Sequence, residues 1–231
     1  MASGSGADLY LPVPPASCKP MRLPLAVYLA LLATSLFAAE PVIWRLDQTA
    51  QLGGHPVAVL AAPRIADGAV NFNGKDDGLL VPVNPLAGRP QFTIEVLFYP
   101  AADGPAEQRF LHVQDGPGSR SLLETRVTGG TWALDTFLSC PATNTKLALL
   151  DPAKRHPADR WTWVALVYDG RRMAHYIDGV KKLEGEVAFP PMAAGQVSLG
   201  VRQNKVYWFK GGLREVRWHA SALTAEQLQK L

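Results

Sequence analysis

The sequence predicts an all-β fold, two antiparallel sheets packed face to face and finished by a short C-terminal helix. Three observations lead there. The 20 Gly and 19 Pro fall between short apolar runs at intervals of roughly 8 to 12 residues, the spacing of strands joined by turns. The run WTWVALVY at 161–168 is rich in β-branched and aromatic residues and apolar on both alternating faces, as in a strand covered on both sides. The pair Asp178-Gly179 separates extended runs at 173–177 and 180–187. A DG pair in that setting signals a two-residue hairpin, because a type I′ turn requires positive φ at both central residues.

Residues 1–39 stand apart from the rest. Arg22, the apolar run 23–37 and the small pair Ala38-Ala39 have the order of a secretory signal peptide, with Met21 as a candidate start and a Pro-rich extension ahead of it. Left uncleaved, the same run would be a membrane anchor, although it is shorter than the usual span of about 20 residues. The expected location is secreted, periplasmic or cell-surface. Cleavage removes Cys18 and leaves Cys140 without an internal disulfide partner, so a buried thiol is expected ahead of one that pairs between molecules.

Residues 40–231 read as one domain. In 92–98 the alternation puts Phe92, Ile94, Val96 and Phe98 on one face and Thr93, Glu95 and Leu97 on the other, as a sheet with one packed face requires. In 109–114 Leu111 and Val113 take the core face and turn His112 and Gln114 away; in 122–127 Leu123, Thr125 and Val127 pack while Glu124 and Arg126 turn away. Asp135 falls on a non-core face by the same count. Residues 213–218 form a closing strand. Thr224 with Gln227 three positions on is a capping-box signature, which predicts a helix over 225–230.

Charge and motifs remove several functions. A net charge of +3, from 23 basic and 20 acidic residues, comes with no basic stripe, so nucleic acid is not an expected partner. There is no G-x-S-x-G elbow, no HExxH and no Cys/His metal spacing, which leaves serine-hydrolase and zinc chemistry without support. The nearest carboxylate pair is Glu184-Gly185-Glu186. It follows Lys181-Lys182 on a hairpin arm and reads as a solvated pair rather than a glycosidase dyad.

A polar surface remains. If neighbouring strands align, one sheet face carries Glu95, His112, Gln114, Glu124, Arg126 and Asp135, with Trp132, His175, Tyr207 and Trp208 near loops or strand ends. Planar donors, carboxylates and aromatic rings are what a sugar asks of its site, since it offers hydroxyls at the edge and a C–H face. The same alternation is also the ordinary solvated face of an antiparallel sheet.

The stretches VNFNGKDDGLLVPVNP, FTIEVLFYP, WTWVALVYDG with its YIDG hairpin, QVSLGV and WFKGGLREVRWHASALTAEQLQKL occur in an order that resembles the laminin-G-like, concanavalin A-like jelly-roll domains of secreted bacterial proteins. The resemblance covers residues 44–231. It implies a two-sheet antiparallel jelly-roll sandwich and a glycan or polysaccharide partner, or a protein one. The chain departs from the family pattern at three places: FNG stands for FDG, Trp163 stands where a His is frequent, and Arg214 replaces the aspartate of the GxIDEV ending. Some relatives hold calcium with such aspartates. Here Asp76 and Asp77 are the remaining candidates, and a guanidinium at 214 puts a cation where the metal's charge would be, so no cofactor is expected. The first functional expectation is a non-catalytic carbohydrate-binding or recognition domain. The second is a polysaccharide lyase similar to alginate-lyase-type jelly rolls, or another glycan-active enzyme, with His112, Arg126 and Tyr207 on the concave sheet. The third is a protein-binding adhesion or assembly domain.

Overall fold

The doubly apolar run at 161–168 lies in the interior of a sheet. The computed structural model describes Met1 and residues 40–231; the expected signal peptide or anchor falls outside the described residues. Among them are eighteen strands, numbered in chain order. The first sheet runs β16 (Val180–Glu186), β15 (Arg172–Ile177), β14 (Thr162–Tyr168), β8 (Phe92–Pro100), β18 (Lys210–His219), β6 (Ala69–Asn73) and β5 (Arg64–Ala66), with β1 (Val42–Arg45) beside the C-terminal half of β18. The second runs β12 (Thr145–Leu150), β11 (Thr131–Cys140), β10 (Arg120–Thr128), β9 (Glu107–Asp115), β17 (Gly195–Leu199), β7 (Gly78–Val81) and β4 (Ala58–Leu60), with β13 (His156–Pro157) against β11. A small ribbon, β2 (Gln51–Leu52) and β3 (His55–Pro56), stands apart from both sheets.

Every residue of β14 is buried, because one face packs on the other sheet and the other is covered from outside. The hairpin after it forms as expected: Asp178 and Gly179 have φ of 46° and 74°, the two left-handed positions of a type I′ turn. Between the sheets the aromatics interlock across the layers. Phe98 of the first sheet stacks on Phe110 of the second at 4.6 Å and meets Trp132 edge-on at 4.9 Å, arrangements that add to simple area burial. Cys140 is a free, buried thiol.

The predicted C-terminal helix does not form; 225–227 is a single turn. Half of the capping box is present, since the Thr224 N–H donates to Gln227 Oε1 at 2.9 Å and the Leu228 N–H reaches the Thr224 carbonyl. The chain then leaves the helical path because tertiary partners compete for its next groups. Leu228 is buried against Ala165 and Val167, and the Gln229 N–H donates to the Glu95 carboxylate at 2.6 Å instead of to a carbonyl one turn back. A charged acceptor outweighs a single added helical bond.

Candidate functional site

The site lies on the outer face of the second sheet and is assembled by cross-strand register. Strands β10 and β11 place Arg120 opposite Ser139, Leu122 opposite Phe137 and Glu124 opposite Asp135. On the other side β9 pairs with β10, but its register shifts between Leu123 and Glu124, which face Leu111 and Arg109. The residue skipped is Phe110, which is fully buried with Leu111. This is a β-bulge, and its extra residue re-aims the side chains beside it. Arg109, which strict alternation would put inside with Leu111 and Val113, instead points out beside Glu124.

These rows bound a cavity of about 270 Å³ lined by Arg109, Arg120, Arg126, Arg202, Glu124 and Asp135, floored by Leu122 and Phe137. Arg109 Nε stands 2.9 Å from Glu124 Oε2 and its Nη1 3.1 Å from Glu107. Arg126 bridges Glu124 at 3.4 Å and pairs with Asp135 Oδ2. Burial, and then the neighbouring Asp135, push the Glu124 carboxyl up to about 7 against the pull of both arginines. Burial also raises Asp135. Asp135 is 4% exposed and its Oδ1 has no hydrogen-bond partner, a buried acceptor left free beside the cavity.

The segment between β17 and β18 builds the rim. Gly200 has a φ of 78°, and a Cβ there would stand 2.2 Å from the Phe72 ring, so glycine lets the chain leave the sheet at this point. The Gln203 N–H then donates to His112 Nδ1 at 3.1 Å. The Tyr207 carbonyl accepts from the Arg109 N–H, and the Arg109 guanidinium lies 3.7 Å from the centre of the Tyr207 ring, a cation–π contact.

The structure scatters the sequence-predicted residues. Glu124, Arg126 and Asp135 meet in the cavity. His112 shares the face but is 1% exposed, with Nδ1 taken by Gln203 and Nε2 buried without a partner. Burial, then Arg202, Arg120 and Arg109, hold it at about 3, so it is the neutral imidazole. Gln114 lines a separate shallow depression with Gln196 and Gln203. Trp208 packs by Gly78, where a Cβ would stand 3.5 Å from its ring, and does not line the cavity. Glu95 belongs to the other sheet: β8 pairs with β14 and β18, and its carboxylate takes His219 Nε2 at 2.8 Å and the Gln229 N–H. His175 turns inward, 2% exposed, with Nδ1 3.0 Å from Thr136 Oγ1 of the opposing sheet, and burial with nearby cations holds it at about 4. Trp132 is core. Asp77 accepts the Ala62 and Asn73 N–H groups, and Asp76 accepts from the Asn73 side chain, so the two candidate calcium ligands are engaged in a turn. Among the described residues no group of three or more His, Cys, Asp or Glu could hold a metal ion.

A family model described as the concanavalin A-like lectin/glucanases superfamily, of laminin G type, matches residues 73–229. The chain belongs to this superfamily. No functionally curated protein matches it. Among solved structures it is similar to domain 4 of AbnA, an extracellular arabinanase from Geobacillus stearothermophilus in complex with arabinotriose: 21% identity, TM-score 0.59, covering 83% of this chain and 97% of that one. It is also similar to the botulinum neurotoxin serotype D ligand-binding domain in complex with N-acetylneuraminic acid, at 13% identity and TM-score 0.60, covering 81% of this chain and 49% of that one. A third is the binding domain of botulinum neurotoxin DC in complex with SialylT, at 10% identity and TM-score 0.57, with 81% and 49% covered. The chain spans about half the length of the toxin domains it matches. At these identities the likeness is one of fold.

Three arginines of the cavity escape a sequence reading of this superfamily member, each for its own reason. Arg109 is hidden by the bulge. Arg120 shares the parity of Leu122, Glu124 and Arg126, so extending the alternation by one step back finds it. Arg202 lies in a segment with no strand period, and only the path of the chain after Gly200 delivers it.

Proposed function

We propose that this protein is a non-catalytic carbohydrate-recognition domain, exported from the cytoplasm, that binds its glycan in the cavity between β9 and β11. The observation that carries the proposal is the combination found there: convergent guanidiniums and carboxylates, one buried acceptor without a partner, and an apolar floor of Leu122 and Phe137. A saccharide complements each part, with hydroxyls for the charged groups and a C–H face for the floor. The neighbouring folds solved with arabinotriose and N-acetylneuraminic acid support the class of ligand by analogy of fold, which by itself does not assign function. Among the described residues no helix is long and apolar enough to cross a membrane.

The geometry is less suited to the lyase alternative. His112 is sealed under the 201–207 segment and held neutral far below the usual imidazole range, out of reach of a sugar proton. The test is a glycan array with the purified protein, followed by incubation of each hit and detection of unsaturated or reducing ends. Binding without turnover, weakened in Arg126→Ala, supports recognition; product formation replaces it with an enzyme; an array without hits sinks both and leaves protein recognition.

A further inference from the structure

The cavity is polarised along the strands. In the row of Glu124 and Asp135 every charge is answered: Arg109 and Arg126 face Glu124, Asp135 and Glu107. Two residues back along β10 comes the apolar row of Leu122 and Phe137, and two further back Arg120. Arg120 has only the neutral Ser139 Oγ at 3.4 Å and the Phe137 ring, over which its guanidinium lies 5.6 Å from the centre. Arg202 faces the same cavity from the rim. Among the described residues no carboxylate lies within ion-pair distance of either one. Burial, and after it the charge of Arg202, pull the Arg120 guanidinium below its ordinary value. Two like charges thus crowd one end of a partly enclosed cavity, a costly arrangement that an anion would relieve.

We infer that the cavity selects an acidic saccharide longer than one ring, its carboxylate or sulfate held by Arg120 and Arg202 and its hydroxyls by Asp135 and Glu124 at the far end. The inference rests on the recognition reading above and deepens it. Four residues of strand separate Arg120 from Glu124, about 13 Å, more than a single pyranose covers, and the Leu122–Phe137 row between them offers a floor for the ring. Guanidinium forks match planar carboxylates and phosphate-like oxyanions alike, so uronic and sulfated sugars share the chemistry.

The experiment uses the whole purified chain and two matched pairs, trigalacturonate with its methyl ester and sulfated lactose with lactose, titrated at low and at physiological salt beside the glycan array. The expected result is that the acidic member of one pair binds at least about tenfold tighter than its neutral counterpart. That preference shrinks with salt. Arg202→Gln and Arg120→Gln should each remove about tenfold of it with no loss of melting temperature, because each also relieves the like-charge crowding, and which pair responds distinguishes carboxylate from sulfate. Equal binding of both members of each pair, or array hits confined to neutral glycans, overturns the acidic preference and leaves glycan recognition standing. An array with no hit at all overturns both.

Discussion

The outer faces of the two sheets start from the same kind of sequence and end in opposite states. On the first sheet Glu95 and Thr93 alternate with core residues, as Glu124 and Arg126 do on the second. The C-terminal segment then closes over them. Thr93 Oγ1 donates to the Ser221 carbonyl and accepts the Leu223 N–H, both oxygens of Glu95 are taken, and Leu228 seals the apolar patch of Ala165 and Val167. On the second sheet the covering segment seals His112 and flanks Arg109. It leaves Asp135 with a free oxygen, and Arg120 and its own Arg202 without carboxylate partners. A polar sheet face becomes a candidate site only where the rest of the chain leaves its hydrogen-bonding capacity unused.

The largest effect should come from breaking the closed face. Glu95→Ala strips His219 and the Gln229 N–H of a shared, 1%-exposed partner and should cost about 3–5 kcal/mol, read by urea denaturation; a loss under 1 kcal/mol would mean that the C-terminal segment is only loosely held. Arg126→Ala on the open face should cost less in stability, about 2 kcal/mol, because water can reach the carboxylates it abandons, yet it should weaken glycan binding at least tenfold. Leu228→Ala lifts the seal without touching the cavity. It should cost about 2 kcal/mol, at the low end for a buried leucine near the surface, and leave the glycan affinity unchanged.

A pH effect should follow from Glu124, whose folded-state value near 7 exceeds its ordinary 4.5. The protonated form therefore favours the fold, a stabilisation complete below about pH 4.5 and lost as pH rises through about 7. His112 stays neutral above about pH 3, and Asp135 is shifted in the same direction as Glu124. The cavity thus becomes more cationic on acidification. Affinity for an acidic glycan should rise between pH 8 and 6 by up to about tenfold, from one fewer opposing charge at near-surface screening, and Glu124→Gln should flatten the profile. The smallest effect belongs to the calcium candidates: Asp76→Asn should stay within about 0.5 kcal/mol of the parent, with the same melting temperature in EDTA as in calcium.

The two-sheet architecture was legible because it depends on period-two alternation and on a turn whose φ angles few residues tolerate. WTWVALVY, the Asp178-Gly179 hairpin and the faces of β8, β10 and β11 are local patterns, and they fix the side of the sheet each residue takes. The C-terminal helix was misread for the complementary reason. Its capping signal is real, but the Glu95 carboxylate and the patch around Ala165, far away in the chain, offered 228 and 229 better partners than another helical turn.

Of the cavity, the sequence by itself determined Glu124, Arg126 and Asp135, since each side chain's face follows from its neighbours within one strand. Only the tertiary structure decided that Glu95 belongs to a different sheet, that His175 points into the core and that His112 is sealed. It alone brought Arg109 out through the bulge at Phe110 and carried Arg202 to the rim after Gly200. Strand parity is a property of consecutive residues, whereas the company a side chain keeps depends on which strands pair and where the connecting chain passes, and those are settled by packing the whole domain.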